Sequence, residues 1–331
     1  MRPSLPELLA CTECHGVLAL SAREVEDGEV MTGELRCAAC GTSWPIRAGV
    51  PRFVGTLSTD AQARRTARAF GWEWQVFSDM QGYHERQFLD WIDPVRPEDF
   101  SGRIVLEGGC GKGRHTTLVG RWGAKAVIGV DLSDAVDVAF AHTRGQANVH
   151  IVQADLRRLP LRPGSCDHAF SVGVLHHLPD PQEGFRSLAR AVKPGGRLTV
   201  WVYGAENNGW IRHVVSPVRR TLTSRLPPPV LYPLSGVAAV PLWAALRALY
   251  GPASRRPGAS WARLLPYRGY LSYISGFPFR EVHHIVHDHL AAPVAFYLRR
   301  DELEGWYRGV GAQRITLSWH NQNSWRAHGE L

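Results

Sequence analysis

Two groups of residues in this chain are spaced for chemistry. The first is Glu107-Gly-Gly-Cys-Gly-Lys-Gly113, with glycines at 109, 111 and 113. Glycine lets backbone turn sharply and approach a ligand closely. The apolar Val105-Leu106 ahead of it reads as the end of a buried strand, and a helix is expected to begin near Arg114. The N-terminus of that helix would offer free N–H groups, which in a dinucleotide enzyme face pyrophosphate. Here the spacing is Glu-x-Gly-x-Gly-x-Gly, not Gly-x-Gly-x-x-Gly, so alone it implies only a nucleotide-like ligand. The second group is Cys11-x-x-Cys14 and Cys37-x-x-Cys40, separated by 22 residues. Two thiolate pairs on turns fit the closed tetrahedral site of structural zinc, with Cys11, Cys14, Cys37 and Cys40 as ligands. Cys110 reads as loop filler and Cys166 as a loop or core thiol.

Three further features give the glycine loop a context. Val127-Ile-Gly-Val-Asp131 is an apolar strand ending in an acid, 24 residues after Glu107. A carboxylate there can accept both ribose hydroxyls. Gln153-Ala-Asp155 closes the next strand, another 24 residues on. Phe170-Ser-Val-Gly-Val-Leu-His-His-Leu-Pro-Asp180 ends a fourth strand and Val192-Lys-Pro-Gly-Gly-Arg-Leu198 turns into a fifth. The apolar runs 104–106, 126–130, 149–153, 169–174 and 197–203 alternate with helical patterns, which predicts a parallel, doubly wound sheet.

In that order, these residues resemble the class I methyltransferases of the ubiquinone and menaquinone biosynthesis type. The resemblance covers residues 103–203 and implies a Rossmann-like, mostly parallel seven-stranded α/β sheet that binds S-adenosylmethionine (SAM). It implies that Glu107 and Gly109 face the methionine part of SAM, Asp131 the ribose and Asp155 the adenine. By the same resemblance Gly111, Gly113, Leu132, Leu156 and Val172 would also line the cofactor site. His176 and His177 would lie beside the reactive methyl. Asp155 has a plainer reading as a helix cap. The segment running through Trp44-Pro-Ile-Arg-Ala-Gly-Val-Pro-Arg-Phe53 with the four cysteines resembles the small Trm112-like zinc ribbons, which partner or are fused to methyltransferases.

The chain divides accordingly: a zinc ribbon at 1–56, a helical aromatic lid or linker at 57–102, the SAM-binding core at 103–203, a cap at 204–290, and a closing helix (300–310) and strand (314–319) in 291–331. The lid carries Phe70, Trp72, Trp74 and Phe77, with Trp74 and Gln75 as candidates for cofactor contact. An aromatic run of this kind is equally plain core. The net charge of +8 is uneven: residues 1–60 carry 5 basic and 8 acidic side chains, residues 201–331 carry 15 and 7. Residues 207–280 hold ten arginines and neither Asp nor Glu. Within them 230–250 is strongly apolar but holds Pro233, Pro241 and Arg247, so a helical cap is expected there, not a membrane span. An apolar cap rimmed by arginine suits an amphiphilic or anionic acceptor and peripheral contact with an anionic membrane surface. His283-His-Ile-Val-His-Asp-His289 follows it; His287 is a third candidate base beside His176 and His177, although packed or surface histidines are the plainer reading.

The first expectation is a SAM-dependent methyltransferase acting on an O, C or N atom of a small amphiphilic or anionic metabolite. The alternatives are an RNA methyltransferase and a SAM-binding scaffold that acts through its ribbon. Nucleic acid ranks lower because the Asn/Asp-Pro-Pro-Tyr/Phe signature of amino-methylating enzymes is missing where Val174-Leu-His-His-Leu-Pro stands. Reduced thiols, and no recognisable leader, place the expected site of action in the cytoplasm.

Overall fold

The computed structural model describes residues 1–54, 60–256 and 258–331. The expected boundary between ribbon and lid, at 56/57, lies outside the described residues. The ribbon is a four-stranded antiparallel sheet of β1 (Leu18–Glu26), β2 (Glu29–Cys37), β3 (Ser43–Arg47) and β4 (Val50–Pro51). Asp27 and Gly28, both at positive φ (49° and 74°), make the tight turn between β1 and β2, as a twisted two-residue hairpin requires. Two helices follow, α1 (Ala61–Val76) and α2 (Tyr83–Ile92). Asp60 starts α1 by accepting from the N–H groups of Gln62 (2.9 Å) and Ala63 (3.2 Å), a strong N-cap.

The core runs β5 (Ile104–Gly108), α3 (Arg114–Arg121), β6 (Ala126–Asp131), α4 (Ala135–Thr143), β7 (Val149–Gln153), β8 (Cys166–Val172), α5 (Pro181–Ala191) and β9 (Val192–Tyr203). The cap is α6 (Ser216–Thr221), α7 (Pro228–Ala245), α8 (Gly251–Arg255), α9 (Arg268–Ile274) and α10 (Phe279–Ala291), and the chain closes with α11 (Arg300–Gly309), β10 (Gln313–His320) and β11 (Ser324–Glu330). The seven strands lie in the order β10-β11-β9-β8-β5-β6-β7. Pairs among β5 to β9 are parallel, while β11 runs against both β9 and β10. β5 has β6 on one side and β8 on the other, so the winding reverses there. At such a point the loops beyond the strand ends part and leave a crevice.

All five apolar runs are strands, as expected. Val105, Leu106, Val127, Ile128, Val130, Val152, Ala169 and Phe170 are buried, which parallel strands covered on both faces require. β9 starts earlier than expected and takes in the Lys-Pro-Gly-Gly turn. The chain beyond α11 holds two strands where one was expected. β11 reads Ser-Trp-Arg-Ala-His-Gly-Glu and lacks the apolar alternation that announces a strand. Its polar side chains are satisfied by the chain around α2 instead: Arg326 Nη1 donates to Asp90 O (2.8 Å) and His328 Nε2 to Asp93 O (2.8 Å).

The core encloses neutral histidines. His168 on β8 is bonded to Thr199 Oγ1 (2.9 Å) and stacked on Phe100, and burial lowers its pKa to about 3. Burial also lowers His150 on β7 to about 4. The unfolded chain takes up these protons near pH 6.5, before the folded one can. Stability is therefore complete above pH 6.5 and falls as pH drops from there to about 4, by up to about 1.4 kcal/mol per pH unit for each histidine. Urea midpoints recorded between pH 7.5 and 5 check this; replacing His168 with glutamine should flatten the slope.

Candidate active site

The crevice beyond β5, β6, β7 and β8 opens into one chamber. Its nucleotide side is built from strand ends. Gly109, Gly111 and Gly113 have φ of +81°, +50° and +79°, which side chains rarely adopt. At Gly109 a Cβ would collide with Val174, and at Gly111 it would meet the Trp74 indole at 2.8 Å. The loop therefore stays thin beneath α1. Lys112 Nζ donates to the carbonyls of Phe77 (2.6 Å) and Asp79 (2.7 Å), tying the loop to the end of α1. Asp131 accepts from Gly111 N–H (2.9 Å) and from the N–H (2.8 Å) and hydroxyl (2.7 Å) of Ser133. Asp155 caps the turn that follows it and pairs with Arg157 (2.7 Å), whose other arm reaches Asp60 at 2.9 Å. Arg157 thus links Asp155 to the cap of α1, a connection the sequence spacing did not announce.

Trp74, Gly109, Gly111, Asp131, Leu132, Asp155, Leu156 and Val172 all line the chamber. Gln75 does not; it sits on the exposed face of α1. Gly113 is packed against Ala139 of α4. Glu107 is turned away from the chamber into the core, where it accepts from the Thr116 hydroxyl and lies 3.0 Å from His115 Nδ1. Burial pushes its pKa up to about 8. Its place in the motif is to hold β5 to α3.

The acceptor side is walled by residues far apart in sequence, with Trp91, Trp201, Tyr203, Tyr270, Tyr273, Tyr297 and His320 among them. Of the three candidate histidines, only His177 lines the chamber. Its Nδ1 lies 2.6 Å from Val294 O. A carbonyl can only accept, so Nδ1 carries the hydrogen and Nε2 keeps the lone pair. Burial lowers its pKa, opposed by Asp288 and the Val294 carbonyl. His176 is fully buried behind it, packed on Tyr203 at 3.9 Å. His287 lies on the other face of α10, where it and His283 meet the Ser235 hydroxyl at 3.1 and 3.0 Å. That pair staples α10 to α7 and joins no metal cluster among the described residues.

A polar network missed in the sequence crosses the roof. Glu73 Oε1 lies 2.8 Å from His284 Nε2, and Glu281 Oε1 lies 3.7 Å from Nδ1. Burial opposes a charge on His284, but the two carboxylates outweigh it and raise its pKa to about 9. Asp288 accepts from Tyr203 Oη at 3.0 Å. Tyr203 therefore keeps its proton, with burial the main cause.

In the ribbon, the four Sγ atoms lie within 4.8 Å of one another, with Cys11 to Cys40 at 3.6 Å and Cys14 to Cys37 at 3.4 Å. Zinc–thiolate bonds of about 2.3 Å imply sulfur separations near 3.8 Å, so the set fits zinc. The N–H groups of Glu13 and Cys14 point at Cys11 Sγ from 3.3 and 3.4 Å, as the shell around a structural zinc requires.

Comparison with known proteins matches two stretches of the chain. Residues 106–200 match a family model described as a methyltransferase domain, and residues 2–49 one described as Trm112p-like protein. A tRNA U34 carboxymethyltransferase of Pseudoalteromonas translucida is 34% identical over 127 residues, 37% of this chain and 38% of the relative. A ubiquinone biosynthesis O-methyltransferase of Ralstonia nicotianae is 35% identical over 131 residues, 38% of this chain and 53% of the relative. The chain thus spans about a third to a half of the length of these relatives. A solved complex of the Haloferax volcanii Trm112 methyltransferase activator with a methyltransferase aligns over 82% of this chain and 97% of that one, at 15% identity and a TM-score of 0.46. From the glycine loop to the fifth parallel strand, with the four-cysteine sheet ahead of it, this chain carries a class I SAM-dependent methyltransferase domain joined to a Trm112-like ribbon.

Proposed function

We propose that the chain transfers a methyl group from SAM to a ring-bearing acceptor seated between the aromatic walls, and that this acceptor is an RNA base. The observation that carries the reading is the chamber itself. Tyrosine and tryptophan rings surround the space beside Val172 and His177, and an extruded base is held by stacking of this kind. The tRNA enzyme among the relatives supports the RNA alternative over the small metabolite placed first from sequence. SAM supplies the activated methyl group; the protein must align the acceptor and exclude water. Trp74 and Phe70 on α1 cover the chamber, and Asp131 and Asp155 offer carboxylates to the ribose and adenine. His177 Nε2 stands ready to take a proton from an O–H or N–H nucleophile.

Labelled SAM should deliver methyl groups to bulk tRNA, with an affinity that falls steeply as salt rises. Labelling of small phenols or quinols, and none of RNA, would overturn the choice of acceptor. His177→Ala should lower kcat about 10²- to 10³-fold with SAM affinity unchanged. Because burial depresses the His177 pKa, the base form persists below pH 6.5, so kcat should hold there and fall only at lower pH. Wild-type turnover in the His177→Ala protein would remove it from the chemistry.

A second reading, a small amphiphilic acceptor reached at an anionic membrane surface, has its own observation. Leu231, Ser235 and Ala239 bury one face of α7, while Leu234, Val237 and Val240 stand exposed on the other. That outer face belongs to the stretch 207–280, which holds ten arginines and neither Asp nor Glu. Flotation with phosphatidylglycerol vesicles, lost in Val237→Glu, would favour this reading; no flotation would remove it.

A further inference from the structure

Arg114 opens α3 directly behind the glycine loop. Its guanidinium carbon lies 5.6 Å from the ring centroid of Trp74 and 5.1 Å from that of Trp91. All three residues line the chamber. Contact with two indole rings steadies the guanidinium but satisfies none of its five N–H donors. Among the described residues, no carboxylate lies within ion-pair distance of it and no oxygen accepts from it.

The other charged groups nearby are matched. Glu281 accepts from Tyr83 Oη at 3.0 Å and faces His284. Asp288 takes the Tyr203 hydroxyl, and His320 meets Asp90 at 2.7 Å. Glu281 and Glu107 act on Arg114 only from longer range, and burial works against its charge. A guanidinium does not escape by losing its proton. Arg114 is half-buried, so its fork meets the open space of the chamber, and a planar oxyanion presenting two oxygens is the group that matches it.

We propose that Arg114 anchors a carboxylate or phosphate carried by a ligand of the chamber. The reading of the chamber as a methyltransferase site decides only where the anion comes from: the acceptor, or the methionine end of the methyl donor. The anchor itself follows from the empty fork. Trp91 and the long-range partner Tyr273 belong to the aromatic wall, whereas Trp74 overlies the loop.

The test uses the full chain, with Arg114→Met to keep a flexible side chain between the indoles and Arg114→Lys to keep the charge without the fork. Titration calorimetry with S-adenosylhomocysteine and with 5′-methylthioadenosine, which lacks the carboxylate, reads the donor. Melting of the nucleoside-loaded and free chain in inorganic phosphate reads the acceptor. A donor anchor makes Arg114→Met lose about tenfold or more in S-adenosylhomocysteine affinity and nothing for 5′-methylthioadenosine. An acceptor anchor leaves both affinities unchanged and abolishes a phosphate-induced rise in Tm. Either result supports the proposal, and Arg114→Lys should recover part of it. Wild-type affinities together with a wild-type phosphate response in Arg114→Met would overturn it. So would a marked loss of Tm in the unliganded variant, which would mark a structural cation. If the chain binds neither nucleoside, the methyltransferase reading fails, while the phosphate response still tests Arg114.

Discussion

Replacing Cys37 with serine is expected to destabilise the methyltransferase sheet as well as the ribbon. One apolar core runs through both: Leu9, Leu35, Trp44, Ile46 and Phe53 pack in the same cluster as Val152, Leu159 and Leu161. Phe53 N–H donates to Gln153 O (2.8 Å), and Arg52 reaches Gln153 Oε1 (2.9 Å) and Asp137 (2.5 Å). The ribbon thus docks along the edge of β7 through a single bridge at Arg52 and Gln153. Structural zinc contributes on the order of 10 kcal/mol to the folding of a small ribbon. Its loss should leave β7 uncovered and cost the joined unit about 5 kcal/mol, part of the metal's contribution being recovered by contacts that survive. Calorimetry should show one transition, shifted down in Cys37→Ser and in chelator. A separate low-temperature ribbon transition, with the main one unmoved, would contradict the shared core.

Asp131→Ala should be the most damaging change to cofactor binding. Its carboxylate already arranges the loop by accepting from Gly111 and Ser133, and on the proposed reading it would also accept from the ribose hydroxyls. Burial raises its pKa, an effect opposed by those same donors, so its charge depends on the donors around it. Losing both the loop anchor and two charge-assisted hydrogen bonds should cut affinity for S-adenosylhomocysteine at least about 10²-fold. Asp131→Asn, which keeps one acceptor, should fall between. Titration calorimetry reads both; equal affinity in Asp131→Ala and wild type would move the nucleotide elsewhere.

The loop side of the chamber was legible because Gly109, Asp131, Asp155 and Val172 each sit at the end of a strand, in chain order, beside a glycine or an acid that a bare strand does not need. Glu107 marked the loop correctly, yet its carboxylate serves the core; the motif fixes its position and not the direction it faces. The acceptor half was hidden for a different reason. Trp91, Tyr203, Tyr270 and His320 come together only after the cap and the terminal hairpin fold over the sheet, and aromatic residues read as ordinary core before that. Which of His176, His177 and His287 opens into the chamber depends on the rotation of one short turn and of α10. Neighbouring residues in a sequence carry no information about that rotation. β11 escaped notice because its polar side chains are satisfied around α2 and leave no apolar alternation.

On this reading the crevice beyond β5 and β6 holds SAM. Equilibrium dialysis of labelled SAM against the full chain is the decisive experiment. The expected result is one SAM bound per chain, displaced by S-adenosylhomocysteine, indifferent to NAD, and lost in Asp131→Ala. Binding of NAD in place of SAM, or no nucleoside binding by a folded and zinc-loaded chain, would contradict it.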